Sequence, residues 1–70
     1  MSLQNAVVGR SYIIREICTG DAELEAFLFS LGCYSGEPIT LISGRRSGCV
    51  VSIKDGRYHM DARLAKAILV

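Results

Sequence analysis

The chain has 70 residues, half of them hydrophobic and 21% charged, with one proline, which is enough for one domain and too apolar for intrinsic disorder. Eight Lys and Arg against seven Asp and Glu leave a net charge of +1, far from the excess of a dedicated nucleic-acid binder, so no nucleic-acid partner is assigned. A single His and the scattered carboxylates supply no converging acid, base or nucleophile set, so a non-enzymatic role is expected and no catalytic residue is assigned.

The opening MSLQNAVVGR lacks the basic flank and apolar centre of a signal peptide, and the apolar runs fall well short of the ~18 residues that span a bilayer. A cytoplasmic protein without direct membrane insertion is therefore expected. After Gly9, Arg10 to Cys18 (RSYIIREIC) has the composition of a strand, but Ile14 and Ile17, three apart, break the period of two and predict a bulge. From Asp21 to Leu31 (DAELEAFLFSL) the residues Leu24, Phe27, Leu28 and Leu31 recur at helical spacing. Thr19 or Asp21 can cap the start of that helix, and Gly32 can close its end in the left-handed conformation.

Tyr34 to Pro38 is turn chemistry, with Pro38 best placed as the first residue of a strand because it has no N–H to donate. Ile39 to Ser43 and Cys49 to Ile53 read as a hairpin joined by Gly44-Arg45-Arg46-Ser47-Gly48, with the arginine pair at its tip. Asp55-Gly56 predicts a second tight turn with positive φ at both central residues, followed by a strand over Tyr58 to Met60. Asp61 can cap a short helical turn, and Ile68 to Val70 closes the chain as strand or continued helix. The fold class expected is mainly β: one domain over residues 1–70, a small, partly open barrel of about five strands, with one α-helix between the first two strands and a helical turn before the last.

Cys18, Cys33 and Cys49 are odd in number, widely spaced and free of any C-x-x-C pair, so they read as small apolar residues more readily than as disulfides or as a metal site shared with His59. His59 lies between Tyr58 and Met60 on a strand and faces away from both. The glycines around Arg45 and Arg46 do not form a P-loop, since the Lys-Ser/Thr ending and the following helix are both missing. The arginine pair is either a solvated tip or a clamp for carboxylates or phosphates on a partner. Phe27 and Phe29 either pack against the barrel or its flanking loops, or form an apolar docking spot on the helix. All four charges from Asp21 to Glu37 are acidic, whereas Gly44 to Lys66 is mostly basic, which predicts a polarised molecule able to orient a charged partner.

The ordered set Leu31-Gly32-x-x-x-Gly36-x-x-Ile39-x-Leu41, Gly48-x-Val50-Val51-x-Ile53, Gly56, Met60 and Ala65-x-x-Ile68-x-Val70, with Leu3 and Gly9 ahead of it, resembles the FeoA family of small ferrous-iron-transport accessory proteins. The chain departs from the family's usual pattern at Ala6, where a second Leu is common, at Phe27, where an Arg often stands, and at Cys49, where a Pro usually follows the Gly. The resemblance implies an SH3-like barrel and a cytoplasmic adaptor that assists or regulates a FeoB-type ferrous iron transporter by contact with its cytoplasmic domain, with no cofactor. Arg45, Arg46, Phe27 and Phe29 are the candidate protein-binding residues. A related domain at the end of metal-dependent transcriptional regulators keeps a second reading in view, a free-standing regulatory or metal-sensing domain that binds iron or another transition metal; no metal ligand is assigned.

Overall fold

A computed structural model describes residues 1–70. A 3-10 turn, Leu3–Asn5, is followed by β1 (Ser11–Ile13), β2 (Glu16–Ile17), α1 (Ala22–Ser30), β3 (Pro38–Arg45), β4 (Gly48–Ile53), β5 (Gly56–Asp61), α2 (Ala62–Ala67) and β6 (Ile68–Leu69). Four strands form an antiparallel sheet in the order β1-β3-β4-β5, and β2 pairs antiparallel with β6 in a separate ribbon. The expected mainly β barrel, open along one side, is therefore the observed fold, with six short strands in two sheets.

The bulge expected within residues 10–18 is instead a break between sheets. Ile13 ends β1 with 58% of its surface exposed, while Ile14 is buried at 1%. The next residue, Arg15, already donates its N–H to the Leu69 carbonyl at 2.7 Å. Two isoleucines in succession cannot share one face of a strand, so the chain turns out of the first sheet to bury the second. A true bulge occurs at Ile42, where the β3–β4 register shifts between Leu41 and Ser43. It reverses the facing of the rest of β3: Gly44 sits opposite the inward Cys49, and Arg45 turns outward opposite Gly48.

Helix α1 starts and ends as its local residues dictate. The Asp21 carboxylate accepts from the Glu23 and Leu24 N–H groups, and Thr19 supports it by accepting from the Asp21 N–H at 2.7 Å. At the other end Gly32, with φ +97°, lets its own N–H reach the Phe29 carbonyl and the Cys33 N–H reach the Leu28 carbonyl, a pair of bonds that satisfies the last turn. Of the apolar residues at helical spacing only Leu28 is fully buried, while Leu24 and Leu31 are half-buried.

The second tight turn is displaced from its expected place. Lys54 and Asp55 form the loop, Lys54 alone has positive φ, at 52°, and Gly56 is already the first residue of β5 opposite Ile53. Both registers keep Tyr58 and Met60 on one face, so alternation does not choose between them. The contacts do: the Tyr58 ring folds back over Gly56, where a Cβ would collide with it, and Lys54 reaches Glu37 at 3.3 Å.

The core gathers 13 buried residues from nearly every element, among them Leu3, Ile14, Leu28, Ile39, Val51, Ile53, Met60 and Ile68. Asp61 caps α2 by accepting from the Leu64 N–H at 2.9 Å, and Ile68 leaves that helix in extended conformation to pair with Ile17. The terminal apolar segment is thus strand, drawn out of the helix by the edge that β2 offers.

Candidate functional site

The largest concavity, about 480 Å³, lies where the N-terminal segment, the start of α2 and the β3–β4 hairpin meet. Its walls come from Leu3, Ala6, Val8, Leu41, Cys49 and Ala65, and its rim carries Arg45 and Arg46. Small residues make the hollow: Gly44 has Val8 as its nearest neighbour at 3.7 Å from where a Cβ would sit, and Ala62 and Ala65 present only methyl groups to it. Val8 is held there by the segment around it, since the Val7 N–H donates to the Tyr12 hydroxyl at 2.9 Å and the Gly9 N–H to the Leu41 carbonyl at 2.7 Å. Val7 and Val8 are each 53% exposed, an uncommon cost in apolar surface for so small a protein.

Arg45 ends β3 and Arg46 opens the loop that follows. Neither forms an ion pair, because the one salt bridge of the chain joins Lys54 to Glu37. Two guanidiniums, free of internal partners and set beside an apolar groove, can take carboxylates in bidentate fashion while the groove takes an apolar side chain. The thiol of Cys49 in the groove wall is pushed up by burial, and that of Cys33, in the core, is pushed up by burial to about 11. Both are therefore neutral and apolar at neutral pH, Cys49 in the groove wall and Cys33 in the core. Cys18 is the exposed thiol.

Phe27 and Phe29 form a different surface. They are 49% and 64% exposed, so they do not both pack against the barrel and its loops: α1 buries one row through Leu28 and leaves the flanks of that row largely in water, Phe29 alone meeting a loop residue. Phe29 lies against Tyr34, ring centroids 4.8 Å apart at 36°, and Lys54 extends over the other part of the patch with its ammonium 5.3 Å from the Tyr34 centroid. Contact with Tyr34 and then with Glu37 raises the Lys54 pKa above its ordinary value. Neither Phe lines the groove. Arg45 and Arg46 thus share the groove rim, whereas Phe27 and Phe29, two residues apart on α1, lie on opposite flanks of Leu28 and outside the groove.

Residue-type reasoning missed the groove itself, although Val7-Val8 ahead of Gly9 was an available signal. His59 is exposed on β5 while Met60 is buried, as alternation requires, and it borders a smaller recess with Arg45, Ser43 and Ser47. No three His, Cys, Asp or Glu side chains come together as a metal-holding group. No helix is long and apolar enough to cross a membrane.

Comparison with known proteins gives this geometry a setting. No curated protein sequence matches the chain. Among solved structures, a manganese-dependent transcriptional repressor has TM-score 0.88 at 17% identity, covering 97% of this chain and 39% of its own. An iron uptake regulatory protein, FeoA, has TM-score 0.84 at 22% identity, covering 94% of this chain and 88% of its own. FeoA of Stenotrophomonas maltophilia, complexed with zinc and described as a prokaryotic SH3 domain protein, has TM-score 0.86 at 19% identity over 100% of this chain and 88% of its own. The chain spans less than half the length of the repressor and most of each FeoA chain. At these identities the likeness is one of fold, and that fold is SH3-like. The family profile described as the FeoA domain matches residues 1–70 without a gap at either end, and the chain belongs to that family.

Proposed function

We propose that residues 1–70 act as one non-enzymatic adaptor module that assists or regulates a FeoB-type ferrous iron transporter by docking on its cytoplasmic domain. The observation that carries this reading is the pair of unpartnered guanidiniums, Arg45 and Arg46, on the rim of an apolar groove. Family membership supports a place in ferrous iron transport, and the zinc-bound relative carries a suggested role as a ferrous iron transport activating factor. The partner chemistry that fits is an apolar side chain flanked by carboxylates, seated in the groove with its acidic neighbours on the arginines. The exposed Phe27 and Phe29 on α1, outside the groove, offer further apolar contacts.

The test is binding of this chain to the immobilised cytoplasmic domain of a co-encoded FeoB-type transporter, with and without GTP. Saturable binding that weakens in an Arg45→Glu/Arg46→Glu variant supports the reading, and absence of binding in both nucleotide states removes it. The likeness to a manganese-dependent repressor over nearly the whole chain favours a second reading, a regulatory domain that senses a transition metal. That reading requires Co(II) to give thiolate absorption which disappears on Cys18→Ser, since Cys18 is the thiol open to solvent.

A further inference from the structure

Strand β5 is an outer edge of the four-stranded sheet, paired on one side only. The direction of its backbone groups follows from the ladder. The loop Lys54-Asp55 makes Gly56 and Ile53 a hydrogen-bonded pair, and hydrogen-bonded residues then recur at every second position: Tyr58, Met60 and, just past the strand, Ala62. The last of these is seen directly, with the Ala62 N–H donating to the Ser47 carbonyl at 3.2 Å. Arg57, His59 and Asp61 therefore point their N–H groups away from the sheet, and neither Arg57 nor His59 makes any backbone bond outside it.

The same three residues carry their side chains on the outer face, and all three are exposed. Their neighbours on β4 are Ser52, Val50 and Gly48, none of them charged. Arg57 forms no ion pair within the chain. Asp61 uses one carboxylate oxygen, Oδ1, to cap α2 and forms no ion pair either. The two charges stand four residues apart, ~13 Å along a strand, too far to meet each other.

An edge that is to stay single usually carries like charges or a proline. This one reads Arg57, His59, Asp61: positive, neutral, negative. Reversed, as an antiparallel neighbour presents it, the pattern is its own complement. We infer that β5 pairs antiparallel with β5 of a second copy of this chain about a two-fold axis through His59. Arg57 then lies opposite Asp61 of the second copy, twice over, and the two His59 backbones exchange N–H to C=O bonds at the centre. The Asp61 N–H of each copy donates to the Arg57 carbonyl of the other, so four backbone hydrogen bonds and two cross-strand ion pairs form together. Such pairing is isologous and closed, which ends assembly at two copies. A strand pair of this length falls below the ~1,200 Å² of a standard interface, so the dimer belongs to the weak, concentration-dependent class. The groove with Arg45 and Arg46 is not used by it.

Sedimentation equilibrium of the full chain from about 10 µM to about 1 mM tests the pairing. The expected result is an average mass that climbs from one chain toward two. Arg57→Glu sets like charges opposite each other at both ends and should raise the dissociation constant roughly tenfold or more. Asp61→Lys should do the same, and an equimolar mixture of the two variants should associate as well as the unaltered chain, because every cross-strand pair is then again of opposite sign. His59→Pro removes an outward N–H that no internal partner uses; it should leave a folded monomer at every concentration. If Asp61→Lys unfolds for want of its helix cap, Arg57→Glu and His59→Pro carry the test by themselves. A chain that stays monomeric at about 1 mM, or a dimer indifferent to Arg57→Glu and His59→Pro, overturns the inference.

Discussion

Cys33 follows the glycine that closes α1, and its thiol is buried to 1% exposure with its pKa raised to about 11. Burial favours the neutral form, so the folded chain keeps a proton that the unfolded chain, at its ordinary value of 9.0, gives up first. A raised folded pKa means that the stabilisation is complete below the unfolded value and is lost as pH rises through the folded one. Stability to urea should therefore fall between pH 9 and pH 11, by roughly 2 to 3 kcal/mol across that window. Cys49, raised in the same direction, should add to the slope. Unfolding curves at a series of pH values check this: Cys33→Ala should lower stability at neutral pH and flatten the alkaline decline, and an unchanged slope in that variant would assign the decline to other groups. The same burial predicts one fast thiol, Cys18, and two slow ones toward an alkylating reagent.

Between residues and elements, what could be read from the sequence was whatever is decided within a few residues. Asp21 caps α1 because its side chain competes for the N–H groups just ahead of it, and Gly32 ends the helix because the left-handed conformation is open to it; both were legible. The bulge at Ile42 and the loop at Lys54-Asp55 were not: the bulge is set by Gly44 meeting Cys49 across the ladder, and at the loop both registers keep Tyr58 and Met60 on one face, so the choice rests on Tyr58 lying over Gly56. The exposure of Phe27 and Phe29 stood in the sequence as one of two alternatives, since spacing shows which residues share a face and not how wide a face the barrel will cover. Gly48 shows how tightly the β4–β5 pair is set. It is buried between Arg45 and Asp61, and a Cβ there would run into the Met60 carbonyl. Backbone cannot step aside as a side chain end can. Gly48→Ala should cost about 1 to 3 kcal/mol by overpacking, measurable as a lower denaturation midpoint with the slope unchanged, whereas a neutral result would mean that the hairpin opens freely at its Arg-bearing end.

At the scale of the whole molecule the two sheets leave the groove between the N-terminal segment, α2 and the hairpin, and they place charge and apolar surface side by side there. The two act on docking in different ways, which makes them separable by kinetics. Arg45 and Arg46 stand at an exposed tip, so their charge reaches an approaching partner before contact and is screened by salt. Val8, part of the groove wall, contributes only once a side chain is seated against it. Arg45→Glu/Arg46→Glu should therefore slow association with the transporter domain proposed as partner, and the loss should shrink as salt rises from about 50 mM to about 500 mM. Val8→Asp should leave the association rate within about threefold and speed dissociation, with little response to salt, because it places a charge in the apolar seat. Both substitutions are at exposed positions, where stability usually moves by under ~0.5 kcal/mol, and thermal unfolding of each variant verifies that the fold is intact. Stopped-flow mixing for association and displacement for dissociation read the two effects apart. If both variants change only the dissociation rate, the arginines act as buried contacts; if neither changes either rate, docking belongs to Phe27 and Phe29, and the groove is not the seat.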